Sequence, residues 1–188
     1  MSSFGVVTDA CVLYPMAPCD TLLRAAEKGL YRLFWSDLIL GEVHRNLLKN
    51  SRITLEQADW RLAQMREAFP DAAVTGFERL IPVMPNDEKD RHVLAAAVAA
   101  GAQVIVTSNL RDFPAAALDP FGIEAQSPDE FLLHLLDLSP AQMGQILREQ
   151  AARLKPRPDR PDPLGYVLDN LALQGPGFVE RMRRLLRA

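Results

Sequence analysis

Asp9, Glu42, Asp90 and Asp112 are four carboxylates far apart in the chain, each placed where an expected strand or helix turns toward one edge of a sheet. Separated carboxylates of this kind hold hard divalent cations through oxygen, and cations so held hydrolyse phosphodiesters. One at a time, each acid has an ordinary explanation. Asp9 suits a turn or helix cap at a strand end. Glu42 lies among Leu38, Ile39, Val43, Leu47 and Leu48, where it could pair with Arg45 or Asn46. Asp90, with Asp87 and Glu88, suits a first helical turn, where acids complement the macrodipole. Asp112 suits a cap. All four ordinary explanations must hold at once for the chain to carry no site.

Neighbouring residues extend the pattern. Thr107 and Ser108 follow the run VIV and could hold a carboxylate or a bound water by hydroxyl hydrogen bonds, with Asn109 next and Asp112 about one turn on. Lys89, Arg91 and Arg111 flank the acids and could contact phosphates, although exposed charges of this kind serve solubility equally well.

The elements that must position these residues follow from hydropathy and caps. FGVVTD (residues 4–9) is a short apolar run ending in an acid, as in a buried parallel strand that delivers Asp9 at its C-terminal end, where open α/β sheets bind ligands. Asp20 is expected to cap a helix that Gly29 stops, and residues 31–34 form a second strand. Ser36 caps a helix over 37–49 that carries Glu42. Thr54 with Gln57 predicts a capping box, for a helix that Pro70 ends. Residues 81–84 suggest a weak strand, with Pro82 arguing for an edge. DEKDRHVLAAAVAAG predicts a helix closed by Gly101, then QVIVTSN a strand and IEAQ a last short one. Ser127 starts a helix through about 136. Helices about 140–154, 163–173 and 177–186 follow, with the proline-rich linker 155–163 between them.

Length and composition suit an ordinary globular chain: 188 residues, 48% hydrophobic and 24% charged. The formal charge of −3 is unevenly spread, because residues 148–188 hold nine Lys or Arg against five Asp or Glu. An acidic body does not resemble a stand-alone nucleic-acid clamp, but it suits a site whose carboxylates are offset by cations. The opening segment has no basic n-region and no apolar span, so a cytoplasmic chain without membrane contact is expected. Cys11 and Cys19 lack zinc or redox spacing and are read as reduced thiols. His44, His92 and His134 lack zinc-binding spacing, His92 reads as a helix-surface residue, and no glycine-rich phosphate loop exists. The C-terminal Arg181, Arg183, Arg184 and Arg187 could grip nucleic acid, but cations at a helix C-terminus are the plainer reading.

Together these residues resemble a family. VVTDACVLYP is similar to the opening strand of PIN-domain ribonucleases, usually D-x-N-V-L. GEVHRNLL resembles their helix glutamate, and NDEKDRHVLAAAVAAGAQVIVTSNLRDF resembles their third and fourth acidic motifs. The resemblance covers about residues 4–126 and is closest to VapC-type toxins with a helical C-terminal extension. It implies a three-layer α/β/α domain with a central parallel sheet over residues 1–138 and a helical extension over 139–188. It further implies a metal-dependent endoribonuclease that binds one or two Mg²⁺ or Mn²⁺ ions and acts on RNA as the toxin of a type II pair, with a small antitoxin as partner and a homodimer admitted.

Carried over by position, Asp9, Glu42 and Asp90 match three acidic ligands. The usual fourth acid is replaced by Asn109, leaving Asn109 or Asp112 for that place, with Thr107, Ser108 and Arg91 as supporting or phosphate-contacting groups. Cys11 stands where the family usually has Asn. These two departures motivate an alternative, a catalytically degenerate PIN-fold binding or regulatory module. A phosphoacceptor receiver domain would also gather strand-end aspartates, but the Lys it needs after the last strands is missing.

Overall fold

The computed structural model describes residues 4–50, 53–155, 157–158 and 161–187. In chain order the elements are β1 (Gly5–Thr8), α1 (Ala10–Leu13), α2 (Met16–Glu27), β2 (Arg32–Phe34), α3 (Asp37–Asn50), α4 (Leu55–Ala68), α5 (Arg91–Ala100), β3 (Val104–Val106), α6 (Ala115–Leu118), β4 (Glu124–Gln126), α7 (Pro128–Leu138), α8 (Pro140–Ala152), α9 (Pro163–Leu171) and α10 (Pro176–Arg187). They group into two compact units, one of residues 1–14 with 31–126 and one of residues 15–30 with 127–188.

The first unit is α/β, a four-stranded parallel sheet of order β2-β1-β3-β4 flanked by helices. Val7 pairs with Phe34 on one side and with Ile105 on the other, so β1 is central and every residue of it is buried. The β-branched valines of β1 and β3 suit strands covered on both faces. Gly5 is required by close approach, since a Cβ there would lie 2.9 Å from the Phe34 ring and 3.2 Å from Ala102 Cα. The chain leaves β1 for β2 on one side and β3 on the other. The C-terminal ends of β1 and β3 therefore form the topological switch point at which open α/β sheets bind ligands.

Local chemistry sets the helices around that edge. The Ser36 hydroxyl accepts from Ile39 N at 3.3 Å and so starts α3, whose buried Ile39, Leu40, Val43 and Leu47 fix its rotation. Thr54 and Gln57 form the expected capping box of α4. From α4, Arg61 donates to the carbonyls of Leu13 at 2.8 Å and Tyr14 at 3.0 Å, satisfying the end of α1. In α5, residues 92–97 are all buried, and Gly101 at φ 61° ends the helix in the left-handed region.

Two sequence expectations are corrected. Residues 78–83 form a 3₁₀ segment against α5 instead of a strand, because Pro82 has no N–H for a ladder. Asp20 lies inside α2, which begins at Met16 after Pro15, and its carboxylate pairs with Arg24 at 3.0 Å.

The second unit is helical. It contains α2 together with α7–α10, so α2 and α7 pack with the C-terminal helices. Thr21 donates to Gln150 Oε1 at 2.7 Å, Gln150 donates back to Ala17 O at 3.1 Å, and Lys28 pairs with Glu149 at 3.1 Å, fixing the register of α2 on α8. Ser127 and Glu130 box the start of α7, and Asp129 accepts from Gly177 N and Phe178 N to cap α10. The linker expected over 155–163 includes residues 156, 159 and 160, which lie outside the described residues. Among the described residues, no helix is long and apolar enough to cross a membrane.

Candidate active site

Asp9 stands just past β1, in line with Val106, whose carbonyl accepts from Asp9 N at 3.0 Å. Its side chain is the N-cap of α1, with Oδ1 taking the Ala10 N–H at 2.6 Å. Oδ2 accepts from the Thr107 hydroxyl at 2.7 Å and from the Cys11 thiol at 3.2 Å. Asp9 is 3% exposed, so a buried carboxylate is held by three donors from two strand ends.

Cys11 is more than a filler at its position. Its sulfur also accepts from Ser108 N at 3.2 Å and lies 3.6 Å from Thr107 Oγ1, tying α1 to the loop after β3. Burial, then the adjacent Asp9 charge, pushes its pKa up to about 12, so it stays a thiol.

Asp90 enters from the 3₁₀ turn Glu88–Asp90 that leads into α5. It is 7% exposed, and its Oδ2 makes no hydrogen bond among the described residues. Burial, then the charge of Asp9, raises its pKa to about 6, with Asp112 adding in the same direction. Asp112 is buried too. The 3₁₀ turn Leu110–Asp112, closed by Asp112 N donating to Asn109 O at 2.9 Å, carries it inward. Asn109 donates its backbone N–H to Thr107 Oγ1 at 3.1 Å. Of the two candidates for the fourth position, Asp112 is the one whose charge reaches Asp90.

Glu42 is half-buried on α3 and lies 3.6 Å from His92 Nε2 and 3.5 Å from Arg45. His92 is only 8% exposed, contrary to the expected surface position. Its Nδ1 must donate to Lys89 O at 3.0 Å, since a carbonyl can only accept, so Nε2 is protonated only in the imidazolium. Burial opposes that charge, but Glu42, the Asp9 charge and the Lys89 carbonyl together outweigh it and the His92 pKa is raised. Sequence reasoning missed this pair. The signal was two positions past Asp90, which puts His92 on the turn that faces α3.

Lys89 reaches Asp112 Oδ2 at 3.0 Å and Asp90 Oδ2 at 3.9 Å, and Arg111 stays largely in solvent with Nε 3.6 Å from Asp112. Arg91 is half-buried. In the second unit, Arg181, Arg183 and Arg184 are paired with Asp137, Asp169 and Glu180.

A hard divalent cation fits the chemistry of this donor set. The donors are carboxylate oxygens, Asp90 Oδ2 is buried without a hydrogen bond, and neighbouring negative charges destabilise its ionised form. Among the described residues, however, no three His, Cys, Asp or Glu side chains are gathered as a ready-made metal cage.

Comparison with known proteins covers both units. A model of the PIN domain matches residues 5–111, and a model of the VapC50 C-terminal domain matches residues 128–184. Over 111 residues the chain is 49% identical to a protein of Mycobacterium tuberculosis (strain ATCC 25618 / H37Rv) named Putative ribonuclease VapC50, covering 58% of this chain and 63% of that relative. The matched region is thus less than two thirds of the relative's length. No solved structure matches the chain.

Proposed function

Since the chain belongs to the PIN domain family, we propose that it is a Mg²⁺- or Mn²⁺-dependent endoribonuclease and the toxin of a toxin–antitoxin pair, with a small antitoxin as partner. The observation that carries the reading is Asp90: a buried carboxylate whose Oδ2 lacks a hydrogen bond among the described residues, beside the charges of Asp9 and Asp112 at the switch point of a parallel sheet. The ribonuclease name of the 49% identical relative supports RNA as the substrate. A cytoplasmic location belongs to the same reading.

Asp9, Asp90 and Asp112 would hold the ion, with Glu42 across from them on α3. Bound there, one or two divalent ions would acidify a water and offset charge on the scissile phosphate. The chain's own residues do the rest. Thr107, Cys11 and Ala10 N hold and aim Asp9, and His92 orients Glu42. Arg111, exposed beside Asp112, and Arg91, next to Asp90 in the chain, are the cations offered for the phosphates of a single strand.

A second reading, a PIN-fold binding or regulatory module without cleavage, is favoured by the lack of a ready-made three-ligand cage among the described residues. Incubation of labelled single-stranded RNA with the full chain separates the two. Cleavage that EDTA abolishes and Mn²⁺ restores is expected. RNA bound but left intact at every cation concentration would favour the binding module.

A further inference from the structure

We propose that Lys89 is a built-in counter-cation of the acidic site: its ammonium holds Asp112 and Asp90 in the metal-free chain and must leave before a divalent ion binds, so that it sets the metal concentration at which the site loads. The inference rests on the reading of these acids as metal ligands and deepens it.

The geometry is specific. Lys89 Nζ lies 3.0 Å from Asp112 Oδ2 and 3.9 Å from Asp90 Oδ2, between two carboxylates whose side chains are only 8% and 10% exposed. Asp90 Oδ2 makes no hydrogen bond among the described residues, so this ammonium is the nearest positive charge on that buried oxygen. An exposed solubilising lysine would need neither approach.

The residue is also built to let go. Its backbone is fixed at both ends, with Lys89 N donating to Asp87 Oδ1 at 3.2 Å and Lys89 O accepting from His92 Nδ1 at 3.0 Å. The side chain, by contrast, is 59% exposed. A flexible four-carbon stem can therefore swing its charge into solvent without moving the turn that carries Asp90. The other cations at the site do not occupy this place. Arg45 and His92 face Glu42, and Arg111 approaches Asp112 from solvent.

The test is a calorimetric Mn²⁺ titration of the full chain after EDTA treatment, comparing the parent with Lys89→Met, Lys89→Arg and Asp90→Asn. Removing the competing charge should tighten Mn²⁺ binding on the order of tenfold in Lys89→Met. Lys89→Arg should stay within about twofold of the parent, because the charge is kept. In EDTA, Lys89→Met should also show a lower Tm with an unchanged circular dichroism spectrum. Equal or weaker Mn²⁺ binding by Lys89→Met overturns the proposal and leaves the metal site standing. Undetectable Mn²⁺ uptake by all forms, or parent-like uptake by Asp90→Asn, overturns the metal reading with it.

Discussion

Thr107 donates a 2.7 Å hydrogen bond to Asp9 across 98 positions of sequence, joining the C-terminal ends of two adjacent parallel strands at the first acid of the site. Both residues are buried, Thr107 completely. A buried hydrogen bond to a charged group contributes about 1.5–3 kcal/mol, so Thr107→Val should lower unfolding free energy by that amount and reduce cleavage, whereas Thr107→Ser should retain both. Urea unfolding and RNA cleavage check this. A Thr107→Val chain as stable and active as the parent would contradict the role given to the hydroxyl.

Asp90 links the site to pH. Burial, then the Asp9 charge, raises it from 3.8 to about 6, so the fold favours its protonated form. Its contribution to stability is full below pH 3.8 and is lost as pH rises through about 6. His92, raised above 6.5, contributes below that pH and loses its contribution as pH climbs through its folded value, the same direction. Glu130 and Glu149 are shifted down and lose theirs only in more acid solution. In EDTA, Tm should therefore fall as pH rises through about 6 and onward past 6.5, and Mn²⁺ should restore it above this window but not below it. A metal-free Tm that rises over this window would contradict the assignment.

Cys11 is the least conventional group beside the acids. With its pKa pushed up to about 12 by burial and the Asp9 charge, it should not react with a disulfide reagent at neutral pH, and Cys19, 2% exposed, should be shielded too. Counting modified thiols is decisive: none in the folded chain, two after unfolding in urea. Rapid labelling of Cys11 in the folded chain would mean that its sulfur is not held as described.

The grouping of α2 with α7–α10 makes a prediction about truncation. A chain ending at residue 126 keeps α2, with its buried Cys19, Thr21, Leu22 and Ala25, but removes α8 and α9, against which α2 packs. Exposing a buried leucine alone costs about 1.5–3 kcal/mol. The fragment should aggregate or bind a hydrophobic dye, while the full chain remains soluble. A monomeric fragment with a cooperative transition would show that α2 does not depend on the C-terminal helices.

Features written in short-range chemistry were legible in the sequence. β1 and β3 are short apolar runs, Thr54 and Gln57 of the capping box lie three residues apart, and Ser127 starts α7 and Gly101 ends α5 as expected. The places of Asp9 just past β1 and of Asp90 at the start of α5 were legible because strand ends and helix starts place acids predictably. What could not be read depends on residues distant in sequence. The partner of Lys89 is Asp112, His92 faces Glu42 on another helix, and Thr21 meets Gln150 129 positions away. Asp20 looked like a cap because nothing local revealed that α2 starts earlier, at Met16. Likewise, the inward position of Asp112 depends on the 3₁₀ turn after Asn109, whose hydrogen bonds carry no strong sequence mark.

The central claim is that Asp9 and Asp90 belong to a cation-dependent nuclease site, and the most direct measurement is RNA cleavage in Mn²⁺ by the parent, Asp9→Asn and Asp90→Asn at matched folded concentration. The account predicts that both variants keep the parent's circular dichroism spectrum and lose cleavage by at least about a hundredfold. Parent-like cleavage by either folded variant would contradict it.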